Sequence, residues 1–224
     1  LFSLVITELN MPKTMVGPKA NNVAAVILAG GQSRRFGGGD KFLKDLNGKP
    51  LLDRVIERIK PQVDHLIINA NNKNISLSSY GLPIVADTIQ GYAGPLAGIL
   101  TGLEWIREHA SECKWLGSFP SDAPFVPLDC VRKMHECAVE NDAEVVCAVS
   151  GGRTHPVCAL WRVELAEDLR NAMIEENMRK IDLWTSRYKI SELEFSNQPY
   201  DPFFNVNRPE DLTQAEKIAA DLSD

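Results

Sequence analysis

Residues 23–41, VAAVILAGGQSRRFGGGDK, constrain this chain more than any other stretch. A run of β-branched and small apolar residues, 23–28, breaks abruptly into a loop that holds five of the chain's 15 glycines. Arg34 and Arg35 lie within the loop and Lys41 closes it. A buried strand ending in glycines and cations suits a polyphosphate. Glycine lets backbone N–H groups approach phosphate oxygens, while guanidinium and ammonium groups neutralise their charge.

Two familiar phosphate loops do not fit. A G-x-x-x-x-G-K-[ST] loop is excluded because Lys41 stands between Asp40 and Phe42. The dinucleotide fingerprint G-x-G-x-x-G fails because Gly30-Gly31 is followed by Gln32-Ser33-Arg34-Arg35, and that fingerprint should run straight into a helix. The stretch instead resembles the L-A-G-G-x-S-x-R-x-G…K loop of nucleotidyltransferases acting on nucleoside triphosphates.

With 224 residues the chain is expected to form one α/β domain. A net charge of −6 argues against a nucleic-acid coat protein or a binder of anionic membranes. An acidic protein with an anionic ligand must gather its cations locally, as residues 31–41 do. Cys113, Cys130, Cys137, Cys147 and Cys158 are scattered, odd in number and never in a C-x-x-C pair. That pattern fits reduced thiols in the cytoplasm better than disulfides or a zinc site. No apolar run is long enough to span a bilayer. Residues 1–6 are apolar but lack a basic preceding stretch and run into Thr7-Glu8-Leu9-Asn10, so a signal peptide is not expected. Residues 1–22 are expected to be a tail outside the core, with the catalytic domain over 23–224.

Strand and helix patterns alternate, which implies a mostly parallel sheet covered by helices. A helix is expected from Lys49-Pro50, with Leu51, Leu52, Val55, Ile56 and Ile59 on one face and Pro61 ending it. Strands are expected at 65–70, 83–86 and 115–119, with a helix from Gly94-Pro95 to about residue 109 between the last two. A helix then follows Pro127. Strands at 144–149 and 154–161 flank the Gly151-Gly152 turn, helical stretches lie around 163–176 and 179–187, and a strand spans 189–195. Residues 203–207 return towards the sheet, and Arg208-Pro209-Glu210 opens the last helix.

In an open α/β sheet the ligand sits beyond the carboxyl ends of the strands. Successive strand ends here offer the glycine loop, Asn69, Asp87 and Asp122. Asp or Asn at a strand end often does no more than cap a helix or close a turn. Asp122 is the strongest candidate, since it ends a hydrophobic strand and has Pro120 and Pro124 on either side. Magnesium favours one or two carboxylates together with phosphate oxygens and waters, and a rigid Asp beside a triphosphate meets that need. His155, before Pro156, is open to two readings, a ligand contact or a hydrogen-bonded structural histidine. Trp161 and Trp184 read as core or groove walls.

Seven segments together resemble the molybdenum cofactor guanylyltransferases: LAGGQSRRFGGGDK (28–41), LNGKPLLDRV (46–55), IINAN (67–71), GLPIVADTIQGYAGPLAGILTGL (81–103), SDAPFVP (121–127), HPVCALW (155–161) and FFNVNRPEDL (203–212). They occur in the family's order and cover the chain from residue 23 to near its end. The resemblance implies a single-domain, Rossmann-like three-layer α/β/α fold with a mostly parallel sheet. It also implies an enzyme that transfers GMP from GTP to molybdenum-bearing molybdopterin, with Mg²⁺, and releases pyrophosphate. Leu28, Ala29, Gly30, Gly31, Lys41, Asn69 and Asp87 would then bind the nucleotide, and Asp122 would hold the metal. Arg35, Gly38, Asn205 and Asn207 match positions linked to catalysis or pterin binding, and Arg35, Lys41 and Asp122 would carry catalysis. Candidate protein partners are a molybdenum insertase and recipient molybdoenzymes or their chaperones; no nucleic acid and no membrane is expected. Ser121 stands where many relatives carry Cys, a change expected to be harmless.

Four alternative readings compete. A cytidylyltransferase for the same pterin tends to carry Ala-Gly in place of Gly30-Gly31, and Gly-Asp-Gln-Pro in place of Asp-Ala-Pro-Phe; a sugar-phosphate nucleotidyltransferase is a second related possibility. A non-catalytic subunit that holds GTP and pterin would be free to lose Lys41 and Asp122, which are both present. A dehydrogenase fails on the fingerprint.

Overall fold

The computed structural model describes residues 19–30, 41–71, 75–89, 91 and 94–222. Among these residues the strands are β1 (Val23–Leu28), β2 (Asp45–Leu46), β3 (Lys49–Pro50), β4 (His65–Asn69), β5 (Ile84–Val85), β6 (Trp115–Pro120), β7 (Val145–Ser150), β8 (Arg153–Arg162) and β9 (Ile190–Phe195). The helices are α1 (Leu51–Ile59), α2 (Ile75–Ser78), α3 (Pro95–His109), α4 (Cys130–Glu140), α5 (Ala166–Glu175), α6 (Ile181–Thr185) and α7 (Pro209–Asp221).

Seven strands form one sheet in the order β5-β4-β1-β6-β8-β7-β9. All run parallel except β8, which pairs antiparallel with both β6 and β7. The expected mostly parallel sheet is therefore present. β1 lies in its interior, third of the seven strands, and five of its six residues are buried. Covered on both faces, it needs an unbroken apolar run rather than alternation. At one edge β9 alternates instead, exposing Ile190, Glu192 and Glu194, as an edge strand with one solvated face does.

Two apolar clusters fill the space on either side of the sheet. One packs Ala25 and Ile27 of β1 with Leu52, Val55 and Ile59 of α1 and Val131, Met134 and Ala138 of α4. The other packs Ala24 and Val26 with Leu96, Ile99, Leu103 and Ile106 of α3, Leu169 of α5 and Trp184 of α6. The result is the expected three-layer α/β/α arrangement. A smaller cluster of Leu46, Leu51, Phe125, Val206, Ala215 and Ala219 seats α7 beside the β2–β3 hairpin.

Most expected elements are found within a residue or two, with one correction at Lys49-Pro50. These residues do not begin the helix. They pair antiparallel with Asp45 and Leu46, across a turn in which Asn47 (φ 51°) and Gly48 (φ 78°) are both left-handed. Asn-Gly is the favoured pair for such a two-residue hairpin. Helix α1 then starts at Leu51 with Pro50 extended before it. Of the expected 1–22 tail, 1–18 lie outside the described residues. Lys19 forms a 2.8 Å ion pair with Asp64, and Ala20 is buried in the core.

Among the described residues, no helix is long and apolar enough to cross a membrane. All five cysteines are free and buried.

Candidate active site

From β1 the chain turns to β4 on one side and later returns to β6 on the other. The carboxyl ends of β1 and its two neighbours thus flank the point where connections diverge, the usual crevice of an open α/β sheet. Backbone bonds tie these ends together past the last ladder rungs. Ala29 N donates to Asn69 O at 2.9 Å, Ser121 N to Leu28 O at 3.2 Å, and Ala70 N to Val85 O at 3.1 Å. Leu28 is half-buried, Ala29 buried and Gly30 exposed, so the chain emerges here from core to solvent.

Asn69 is 4% exposed, and its side chain spans the gap from β4 to the segment after β5. Its Nδ2 donates to Val85 O at 3.1 Å and to Asp87 Oδ1 at 2.9 Å. Asn71 grips the other side of Asp87. Asn71 Nδ2 donates to Asp87 Oδ2 at 2.8 Å, and Asp87 N donates back to Asn71 Oδ1 at 2.8 Å. Each Asp87 carboxylate oxygen therefore accepts one fixed amide and retains a lone pair for a ligand donor. The half-buried carboxylate is held in one orientation before any ligand arrives.

Helix α3 closes this corner. It begins after Gly94, whose φ of 142° lies outside the range most side chains adopt, with Pro95 in its first turn. One turn in, Gly98 lies against the Asn69 side chain. A Cβ there would stand 2.4 Å from Asn69 Oδ1 and 2.6 Å from Leu28 Cδ2. Thr101 Oγ1 accepts Thr88 N–H at 3.2 Å, tying α3 to the residue after Asp87.

On the far side of β1, Asp122 sits half-buried just beyond β6. Ala123 to Val126 are buried behind it, and its own carbonyl accepts Val206 N–H at 2.9 Å. That bond brings residues 205–207 to the end of β6. Asn205 Oδ1 is buried with no hydrogen-bond partner among the described residues, and Asn207 is exposed.

The structure thus gathers Leu28, Ala29, Gly30, Asn69, Asp87, Asp122, Asn205 and Asn207 at one end of the sheet. Lys41 opens a short 3-10 turn, Lys41–Leu43, and only its backbone is described. Gly31, Arg35 and Gly38 lie outside the described residues. Asn71 and Gly98 were not singled out by sequence reasoning. Asn71 had no periodicity to mark it, whereas Gly98 and Gly102, four apart on one helix face, were a readable sign of close helix packing.

His155 proves to be a hydrogen-bonded, buried histidine at this same end, with Nε2 2.8 Å from Ser150 Oγ. Burial lowers its pKa below the ordinary 6.5. Trp161 and Trp184 are fully buried and stacked on each other, as core residues. One group of three possible metal ligands occurs among the described residues, His65, Glu112 and Cys113, at the opposite end of the sheet.

Comparison with known proteins agrees with this geometry. Residues 25–188 match the MobA-like NTP transferase domain. The molybdenum cofactor guanylyltransferase of Rhodopseudomonas palustris (strain BisB5) is 47% identical over 204 residues, 90% of this chain and 97% of that one. Its counterpart from Bradyrhizobium sp. (strain ORS 278) is 43% identical over 92% of this chain and 97% of its own length. The crystal structure of molybdopterin-guanine dinucleotide biosynthesis protein A from Archaeoglobus fulgidus superposes with a TM-score of 0.69 at 25% identity, covering 89% of this chain and 99% of that one. With its polar groups converging on the carboxyl ends of β1, β4, β5 and β6, the chain belongs to the MobA-like NTP transferases, in the family of the molybdenum cofactor guanylyltransferases.

Proposed function

We infer that this protein transfers GMP from GTP to molybdenum-molybdopterin, giving the guanine dinucleotide form of the cofactor and pyrophosphate. The observation that carries the reading is the strand-end constellation. Asn69 and Asp87 are fixed on one side of Leu28-Ala29-Gly30, and Asp122 is fixed on the other. The identity to guanylyltransferases over nine-tenths of the chain supports the choice of substrates.

The nucleotide half lies along Leu28, Ala29, Gly30 and Gly31, with Asn69 and Asp87. The clamped Asp87 carboxylate suits a ligand bearing N–H or O–H donors, as guanine and ribose do. The acceptor half lies along Asn205 and Asn207, and Gly38 takes part in acceptor binding or catalysis. The acceptor group is itself a phosphate, so its attacking oxygen is already anionic and needs no general base. That oxygen bonds to the α-phosphorus of GTP as the α–β anhydride bond breaks, and the electron pair leaves on pyrophosphate.

The obstacle is the approach of one anion to another, so catalysis rests on positioning and charge. Arg35 and Lys41 stabilise the leaving pyrophosphate. Asp122 fits Mg²⁺: it is a hard oxygen donor held at a strand end by buried neighbours, the ligand type this ion prefers. Asp122 would hold the ion, which would supply charge compensation for the phosphates. The protein's own part is to hold that carboxylate still, through Val206 and the buried 123–126 segment. The free, buried thiols suit a reducing compartment, the cytoplasm.

Thermal unfolding with GTP, CTP, ATP or UTP, each with Mg²⁺, tests the base choice. Ligand at about 100 times Kd adds about 2.7 kcal/mol to the native state. A shift with GTP alone is the expected result. A preference for CTP would replace the guanylyl reading with the cytidylyl one, and the absence of any shift would overturn the nucleotide site.

A further inference from the structure

We propose that Ser150, His155 and Asp201 form an ordered hydrogen-bond chain that sets the 201–207 segment and thereby positions the acceptor half of the site. The assignment rests on the reading above that this segment serves the acceptor. The three are positioning residues, acting through Phe203, Asn205 and Val206.

The geometry dictates where each hydrogen lies. Asp201 Oδ1 accepts Phe203 N–H at 2.9 Å and the Ser150 hydroxyl at 2.7 Å. A serine hydroxyl has one hydrogen, and here it goes to Asp201. Ser150 Oγ can then only accept from His155 Nε2, 2.8 Å away, so this nitrogen carries the ring's hydrogen. Ser150 is 3% exposed and His155 7% exposed, so water competes poorly for these bonds. The His155 ring also packs against Phe203, with centroids 5.0 Å apart. Phe203 is 1% exposed and meets Phe195 edge-on.

The sheet brings the three residues together. Ser150 ends β7 and His155 is the third residue of β8, on either side of the tight Gly151-Gly152 turn. His155 pairs with Ala148, yet the next rung joins Ala159 to Cys147, so residues 156–158 bulge out of β8. Pro156 falls in that bulge, where its missing N–H costs no ladder bond. Bulges re-aim side chains beside active sites. From Asp201 the order passes through Phe203 to Val206, whose N–H reaches the carbonyl of Asp122. The chain thus connects the β7–β8 corner to the metal-side strand end, and fixes Asn205 between them. A purely structural network would stabilise the domain without favouring one substrate.

The test compares wild type with Ser150→Ala, His155→Phe, His155→Gln and Asp201→Ala, using GTP, Mg²⁺ and molybdenum-molybdopterin. Amide exchange at Phe203 and Val206 is followed in parallel. Ser150→Ala, His155→Phe and Asp201→Ala should raise the KM for the pterin about tenfold, while the KM for GTP changes by less than about threefold. Exchange at Phe203 and Val206 should quicken in these variants while that of β1 and β6 does not. His155→Gln, whose side-chain amide can donate to Ser150, should restore both readouts. Active variants with an unchanged pterin KM would overturn the proposal, as would equal losses for both substrates. Unchanged exchange at Phe203 would overturn it independently of activity. A wild-type enzyme that forms no dinucleotide would instead overturn the functional reading, and with it the acceptor role assigned here.

Discussion

Gly98→Ala isolates the contact that sets the proposed nucleotide corner. The new methyl group would stand 2.4 Å from Asn69 Oδ1, 2.6 Å from Leu28 Cδ2 and 3.0 Å from Asn69 Cγ. Asn69 cannot swing aside freely, since its Nδ2 holds both Val85 O and Asp87 Oδ1. Either α3 lifts off the sheet or Asn69 gives up those bonds. Overpacking a filled site costs about 1–3 kcal/mol, and each lost hydrogen bond about 1 kcal/mol. Alanine's better helix propensity offsets about 1 kcal/mol of this. The net is a loss of about 2 kcal/mol, which lowers Tm by about 4–8 °C in a chain of this size. Because Asp87 loses one of its two amide partners, the KM for GTP should rise about tenfold, equivalent to about 1.4 kcal/mol. Calorimetry and pyrophosphate release measure the two effects. Gly102→Ala is the internal control: its methyl group meets Leu116 at 2.8 Å and Val26 at 3.1 Å, away from any polar site residue. It should lower Tm and leave the KM for GTP alone. A Gly98→Ala protein with wild-type Tm and wild-type KM would refute the reasoning, because the close approach would then constrain nothing.

Other consequences are as direct. Asp122→Ala should lower kcat by about a thousandfold or more, the scale on which charge stabilisation operates, with the fold intact by circular dichroism; near-wild-type turnover would remove it as the metal ligand. Lys41→Ala should lower kcat steeply, and a rate close to wild type in pyrophosphate release would take it out of leaving-group stabilisation. Burial lowers the pKa of both His155 and His135 below the ordinary 6.5. In the window between the folded and unfolded values the unfolded chain binds more protons, so stability is full above pH 6.5 and is lost as pH falls through and below it. Urea midpoints between pH 8 and pH 5.5 should show this decline, shallower in His155→Gln; a midpoint that rises on acidification would contradict it.

Much of the fold was legible because its signals are local. The 23–28 apolar run, the helix face of Leu51, Leu52, Val55 and Ile59, and the Gly94-Pro95 helix start each declare themselves within a few residues. The strand-end rule then places Asn69, Asp87 and Asp122 together without any knowledge of contacts. What the sequence hid was pairing across distance. Asn71 and Asp87 are 16 residues apart, and Ser150 and Asp201 are 51 apart. Residues 203–207 read as returning towards the sheet, but nothing in them marks the end of β6 as the docking point. His155 stayed open between two readings because its partner hydroxyl and the carboxylate beyond it come from separate parts of the chain. The Asn47-Gly48 hairpin is a different case, since the turn signal was present and was overridden by the strong helical pattern after it.

The two halves of the site are held by different means, and this shapes how they respond to change. The proposed nucleotide side is part of the sheet itself. Backbone bonds from Ala29 to Asn69 and from Ala70 to Val85 continue the ladder outward, and the Asn69 side chain adds Asp87, so the corner is tied directly to β1, β4 and β5. The proposed acceptor side is an irregular segment tied on by the hydrogen bonds from Ser150 to Asp201 and from Val206 to Asp122, with the Phe203 ring buried between them. Irregular backbone has no ladder to restore it, so loss of one attachment frees the residues between, whereas loss of one ladder bond is shared among its neighbours. Substitutions in the sheet corner should therefore cost stability and nucleotide affinity together. Those in the 201–207 anchor should cost acceptor affinity with little change in Tm. The separation of these effects follows from how each half is fastened, before any detail of either substrate is considered.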